Sequence, residues 1–154
     1  MKWHVIAQVG ADDYQPDIPP QEPRFTATID KPGSEHSVKQ QLLTGVFQEG
    51  LIPPEAAIDL IHLASMVYTA DLRVSRDYGE ENWTREISLH FPVADPDLWN
   101  ASTPILTELL SFLTGDEWTV VFRKKVPQKE TEAGESPLSR PMPYACSQAA
   151  SIPS

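Results

Sequence analysis

Cysteine and positive charge are both scarce in this chain. Cys146 is the single cysteine among 154 residues, so an internal disulfide is excluded. The nearest cation to it in sequence is Arg140, which leaves nothing local to hold a reactive thiolate. Lys and Arg number 12 against 22 Asp and Glu, a net charge of −10. Such a chain repels a phosphate backbone, and no nucleic-acid partner is expected. The four histidines are scattered, and with one cysteine they show no metal-ligand spacing. Glycine nowhere clusters into a phosphate cradle, and Thr114-Gly115-Asp116 reads as a helix stop. No apolar run approaches the roughly 20 residues that cross a bilayer. Trp3–Val9 is too short for a signal peptide and lacks a cleavage context. A cytoplasmic location without a membrane partner follows as the expectation. The serines at 136, 139, 147, 151 and 154 have no base or orienting acid in sequence context, so no catalytic nucleophile is assigned.

Proline, by contrast, is abundant. The 15 prolines gather in Gln15–Pro23 and Val126–Ser154, which read as a surface loop and a tail. From 129 on the chain lacks apolar periodicity and is rich in Pro, Ser, Ala and Glu, the composition of a disordered segment. The domain boundary is therefore placed at 125, with residues 126–154 as a disordered tail.

Within 1–125, Trp3, Val5, Ala7 and Val9 form one face of a first strand. Phe25–Ile29 can return beside it, with Asp30-Lys31-Pro32-Gly33 turning the chain after it. Val38, Leu42, Leu43, Val46 and Phe47 make a helical stripe from Ser37 to Glu49, stopped by Gly50; Gly45 inside it costs about 1 kcal/mol against alanine. A second helix runs from Pro53 to Tyr68, apolar nearly all round, which predicts a central position. Ala70, Leu72 and Val74 alternate with polar residues as a strand or extended connection. The stretch from Thr69 to Arg123 organises the rest. Ile87, Leu89 and Phe91 alternate as a strand, and Ser102 or Thr103 offers a cap with Pro104 in the first turn. The apolar residues from Ile105 to Leu113 follow at helical spacing before Gly115, and Trp118, Val120 and Phe122 close a β-α-β unit. The predicted fold is α+β: a small, mostly antiparallel sheet of Trp3–Val9, Phe25–Ile29, Glu86–Phe91 and Trp118–Phe122, covered by helices at Ser37–Glu49, Pro53–Tyr68 and Thr103–Thr114.

Candidate sites are few. His62, on an apolar helix, fits a satisfied core histidine better than an acid–base catalyst. Asp71, Arg73, Arg76 and Asp77 read as an ion-pair face. Trp83-Thr84-Arg85-Glu86 can contact a partner, because an indole beside an exposed arginine stacks on a side chain or a base. The same residues also fit a tryptophan covering a sheet edge, with Arg85 paired to an acid. Trp83, Arg85, Arg73 and Arg76 are thus the candidate partner contacts.

The segments VSRDYGEENWTREISLHFPV, DPDLW and LLSFLTGDEWTVVFR, together with the opening KWHVIAQV, resemble the region before the catalytic domain in QueC-like proteins of Qat-type anti-phage systems. These are relatives of 7-cyano-7-deazaguanine synthase. The resemblance is concentrated at Trp83-Thr84-Arg85-Glu86 and Phe112-Leu113-Thr114-Gly115-Asp116. It implies an N-terminal accessory domain followed by a PP-loop domain that activates a 7-deazaguanine carboxylate with ATP, for attack by ammonia or a partner's N-terminal amine. ATP and zinc would belong to that catalytic domain. This chain translates no such phosphate loop, so no catalytic, cofactor or metal residue is assigned to it. Read from the third base of each codon, however, Cys146–Ser154 permits Phe-Ser-Gly-Gly-Leu-Asp-Ser, the loop the family carries. A frameshifted, truncated copy with an out-of-frame tail is the expectation, and an ordinary tail that fits by chance is the alternative. The partner is then a protein or the missing catalytic domain. A free-standing acidic adaptor is the rival function.

Overall fold

Residues 10–23 separate the first two strands, far more chain than a hairpin needs, and that length decides the topology. In the computed structural model, which describes residues 1–10, 12–29, 37–38, 41–78 and 83–126, every strand pair is parallel. The elements in order are β1 (Lys2–Val9), β2 (Arg24–Ile29), β3 (Ser37–Val38), α1 (Gln41–Gln48), α2 (Glu55–Arg73), a 3₁₀ turn at Arg76–Tyr78, β4 (Glu86–Val93), α3 (Pro96–Thr114) and β5 (Glu117–Lys124). The sheet runs β3-β2-β1-β4-β5, with Val5 of β1 between Phe25 and Leu89.

The expected antiparallel sheet is therefore corrected to an α/β parallel one. Hairpins join antiparallel strands through a few residues, whereas parallel neighbours need a crossover. The connections from β1 to β2 and from β4 to β5 are each long enough for one.

From β1 the chain steps outward one way to β2 and β3, then returns past β1 and steps the other way to β4 and β5. Connections of one hand that move in opposite directions must lie on opposite faces. One face accordingly carries α2 and α3: Leu63, Met66, Ala70, Trp99 and Leu110 pack on Val5, Ala7, Leu89, Phe91, Val120 and Phe122 as the main core. The other face is covered by the residue 12–23 connection. Gln8 donates to the Tyr14 carbonyl (3.3 Å), His4 bonds Glu22 (2.5 Å) and Arg24 donates to the Ile18 carbonyl (3.1 Å). Tyr14–Pro23 is thus a cover, and Ser88 and His90 are buried beneath it. Burial on both sides is what central parallel strands require.

Expectations for all three helices also change. Ala70–Arg73 continues α2, since alternation over so few residues does not distinguish a strand from a helix stripe. Leu60, Tyr68 and Leu72 of α2 are exposed, because a helix lying on a sheet buries one side only. The third helix begins at Pro96, not Thr103. Asp95 is its cap, accepting from Asp97 N–H (3.1 Å) and Leu98 N–H (3.3 Å), with Pro96 in the first turn. Pro104 lies inside it, and Ser102 and Thr103 return hydrogen bonds to the carbonyls of Leu98 and Trp99. Ser37 and Val38 form β3, so the first helix starts at Gln41. Gly115 ends α3 at φ 73°, the left-handed stop its position predicts. Beyond Val126, the expected tail lies outside the described residues.

Candidate interaction surface

In a sheet of this order, the chain adds strands outward in opposite directions on either side of the β1–β4 boundary, and ligands of such folds sit at the carboxyl ends there. A crevice of about 400 Å³ occupies that place, lined by Val9, Glu55, His62, Ala94, Lys124, Lys125 and Val126. Its chemistry is self-contained. The buried Asp59 carboxylate accepts from Ala94 N–H (2.7 Å) and from Lys125 Nζ (2.6 Å), and Lys124 Nζ bonds the Ala94 carbonyl. After β1, where a phosphate loop would stand, come Gly10 and the acidic Asp12-Asp13. Asp12 is buried and ion-paired with Arg123, whose guanidinium lies over the Tyr14 ring at 4.2 Å. Carboxylates and engaged lysines do not fit a nucleoside triphosphate, which needs converging backbone N–H groups and uncommitted cations. Among the described residues no three metal-ligating side chains converge.

Arg85 is placed differently from a partner-contacting arginine. It is 2 % exposed, and all five of its guanidinium N–H groups are used. Nε donates to Asp116 (3.1 Å), Nη1 to the carbonyls of Asp71 (3.0 Å) and Val74 (2.7 Å), and Nη2 to the carboxylates of Asp71 (2.5 Å) and Asp116. The carbonyls belong to the last turn of α2 and its cap, where a helix leaves acceptors without intrahelical donors. Burial alone would lower the Arg85 pKa, yet the bonds from both carboxylates hold it above its ordinary value. Arg76 lies across this knot, within 3.7 Å of Asp71 and bonded to the carbonyls of Trp83 (3.2 Å) and Thr114 (3.3 Å). Trp83 is 77 % exposed, and Arg73 is also at the surface. The structure therefore joins Arg85 and Arg76 in one ion network and leaves Trp83 and Arg73 exposed.

The larger exposed feature is on α3, which was read only as a core helix. Leu98, Ile105, Leu109, Phe112 and Leu113 recur at i, i+7, i+11, i+14 and i+15, one helical face, and all five are exposed, Phe112 to 84 %. Ile105, Glu108, Leu109 and Phe112 outline a depression of about 350 Å³. α3 packs against β5, the last strand of the sheet, on whose outer edge no described segment lies. The signal in the sequence is surplus: α3 has more large apolar residues than one buried stripe accommodates, and only Trp99 and Leu110 are buried.

No family model, no curated protein and no solved structure matches the chain.

Proposed function

We propose that the chain is a protein-docking domain without catalytic chemistry of its own, serving as the N-terminal accessory domain of a QueC-like, ATP-dependent deazaguanine-processing protein of anti-phage defence. The observation that carries docking is the solvent-facing apolar row of α3, which no described segment covers. A monomer rarely leaves so contiguous a patch uncovered, and such patches mark protein interfaces. The resemblance of the Trp83–Glu86 and Phe112–Asp116 segments supplies the QueC-like setting. The crevice, whose lysines are engaged within the chain, supports leaving the ATP chemistry to another domain.

Calorimetric titration of Mg²⁺-ATP into the purified chain is expected to give no binding at sub-millimolar concentration. A protein whose reading frame is restored after Phe122 is expected to bind ATP, with Phe112→Asp uncoupling the unfolding of its two domains. Stoichiometric ATP binding by the 154-residue chain would overturn the non-catalytic reading. Failure of the restored protein to bind ATP would leave the free-standing adaptor as the better account.

A further inference from the structure

The two faces of the sheet differ in chemistry. The face under α2 and α3 is apolar. The opposite face presents His4, Gln8, Ser88 and His90, all buried, with Ile6 among them. Its cover is the strap from Asp12 to Pro23, in which Pro16, Pro19, Pro20 and Pro23 have no N–H to give. Among the strap's described residues Ile18 is the one buried apolar side chain. The remaining ties are polar: Asp12 to Arg123, the Tyr14 carbonyl to Gln8, the Ile18 carbonyl to Arg24 and Glu22 to His4. A segment held by so few apolar contacts opens at a lower free energy than the sheet beneath it.

One imidazole joins the strap to two strands. His4 of β1 stands between Glu22 of the strap (2.5 Å) and His90 of β4 (3.2 Å). Lys2 and His4 of β1 and Arg123 of β5 act on His90, and the Tyr14 ring of the strap lies 6.4 Å from it. The carboxylates nearby are engaged, Asp12 by Arg123 and Glu22 by His4. His90 Nδ1 is buried with no partner among the described residues. Under a closed strap, a proton on His90 thus makes a buried donor without an acceptor, beside cations. Lifting the strap gives that donor to water. We propose that the Asp12–Pro23 strap is an acid-released cover: protonation of His90 lifts it from β1 and β4 and uncovers the polar face, while the sheet stays folded. The open form takes up a proton near the ordinary 6.5, the closed form only at about 4. The opening equilibrium is therefore expected to rise about 70-fold between pH 7.5 and 4.5.

Native-state hydrogen exchange of the full chain, corrected for intrinsic rates at pH 7.5 and 4.5 and repeated in low urea, tests this. The strap reports through Tyr14 N–H, which donates to the Asp12 carboxylate (3.0 Å), and Glu22 N–H, which donates to the Pro19 carbonyl (3.0 Å). The sheet reports through Leu89 and Phe91 of the central strand β4. Protection of the strap amides is expected to fall about 70-fold on acidification and to be insensitive to low urea, as a local opening is. Leu89 and Phe91 should stay better protected and lose protection steeply with urea. His90→Asn is expected to remove the acid-driven fall in the strap. Glu22→Gln, which weakens the tie to His4 at the surface and spares the core, should lower strap protection already at pH 7.5 and keep the fall. Strap amides equally protected at both pH values overturn the proposal. So does a strap that opens only together with Leu89 and Phe91, at the same urea dependence, because the whole fold then moves. A fall that persists in His90→Asn, or strap protection unchanged by Glu22→Gln, also overturns it.

Discussion

Arg85 and Asp116 meet inside the protein as a two-pronged ion pair, and the Arg85 backbone N–H also donates to the same carboxylate at 3.1 Å. The pair binds the end of α2, the start of β4 and the turn from α3 into β5 at one point. Arg85→Met leaves the buried Asp116 carboxylate without its cation, which is expected to cost about 3–5 kcal/mol. Arg85→Met combined with Asp116→Leu should cost less than Arg85→Met alone, because the uncompensated charge is gone. Urea denaturation of the three proteins measures this, and a single-variant loss below about 1 kcal/mol would show that the knot is dispensable.

The same pair makes stability depend on acid. Burial raises the Asp116 pKa, but the hydrogen bonds and charge of Arg85, with Arg76, outweigh it and hold the group below its ordinary 3.8. A depressed carboxylate stabilises the fold above its unfolded value. That contribution is expected to persist above about pH 4 and to fade as the pH falls through the lower folded value. Asp116→Asn should remove this component from the pH–stability curve.

His90 acts in a higher window. Burial, then the charges of His4, Arg123 and Lys2, lower it from 6.5 to about 4. Its Nε2 faces His4 Nδ1 at 3.2 Å, and Glu22 takes the other nitrogen of His4. With a proton directed toward Glu22, His4 accepts from His90, leaving His90 Nδ1 a buried lone pair without a partner among the described residues. The unfolded chain binds a proton near pH 6.5 that the folded one refuses until about 4. Stability is therefore full above that window and is expected to fall by roughly 3 kcal/mol on crossing it. Denaturation curves at pH 7.5 and 4.5 check this, and His90→Asn should flatten the difference. An equally steep loss in the variant would assign the effect to another group.

On α3, Leu110→Ala is expected to cost about 2–5 kcal/mol, as a buried leucine does. Leu109→Ala, on the exposed face, and Glu108→Ala should each change stability by less than about 1 kcal/mol. Equal losses at Leu109 and Leu110 would mean that the exposed row is covered within the monomer.

The placement of the four long strands was legible from local pattern, whereas Ser37–Val38 was read as the start of a helix. Trp3–Val9, Phe25–Ile29, Glu86–Phe91 and Trp118–Phe122 all lie within observed strands, because alternation and the stops around them are properties of a few consecutive residues. Gly115 was legible for the same reason. Strand direction was not, since parallel and antiparallel neighbours share one alternation and differ only in how the connection travels. The cap of α3 was missed because Asp95-Pro96-Asp97 serves equally as a turn and as a helix start, and only the continuation through Pro104 separates the two.

The candidate site divides in the same way. Its composition, an acidic chain without a phosphate cradle or a metal cluster in its spacing, is readable in one dimension. What Arg85 does is not. Beside an exposed tryptophan it looks like a surface contact, and only the approach of Asp71 from α2 and Asp116 from the start of β5 closes it into the interior. The apolar excess of α3 is likewise written in the sequence. Which residues it leaves in solvent was decided by the sheet, because a flat layer can cover one side of a helix and no more.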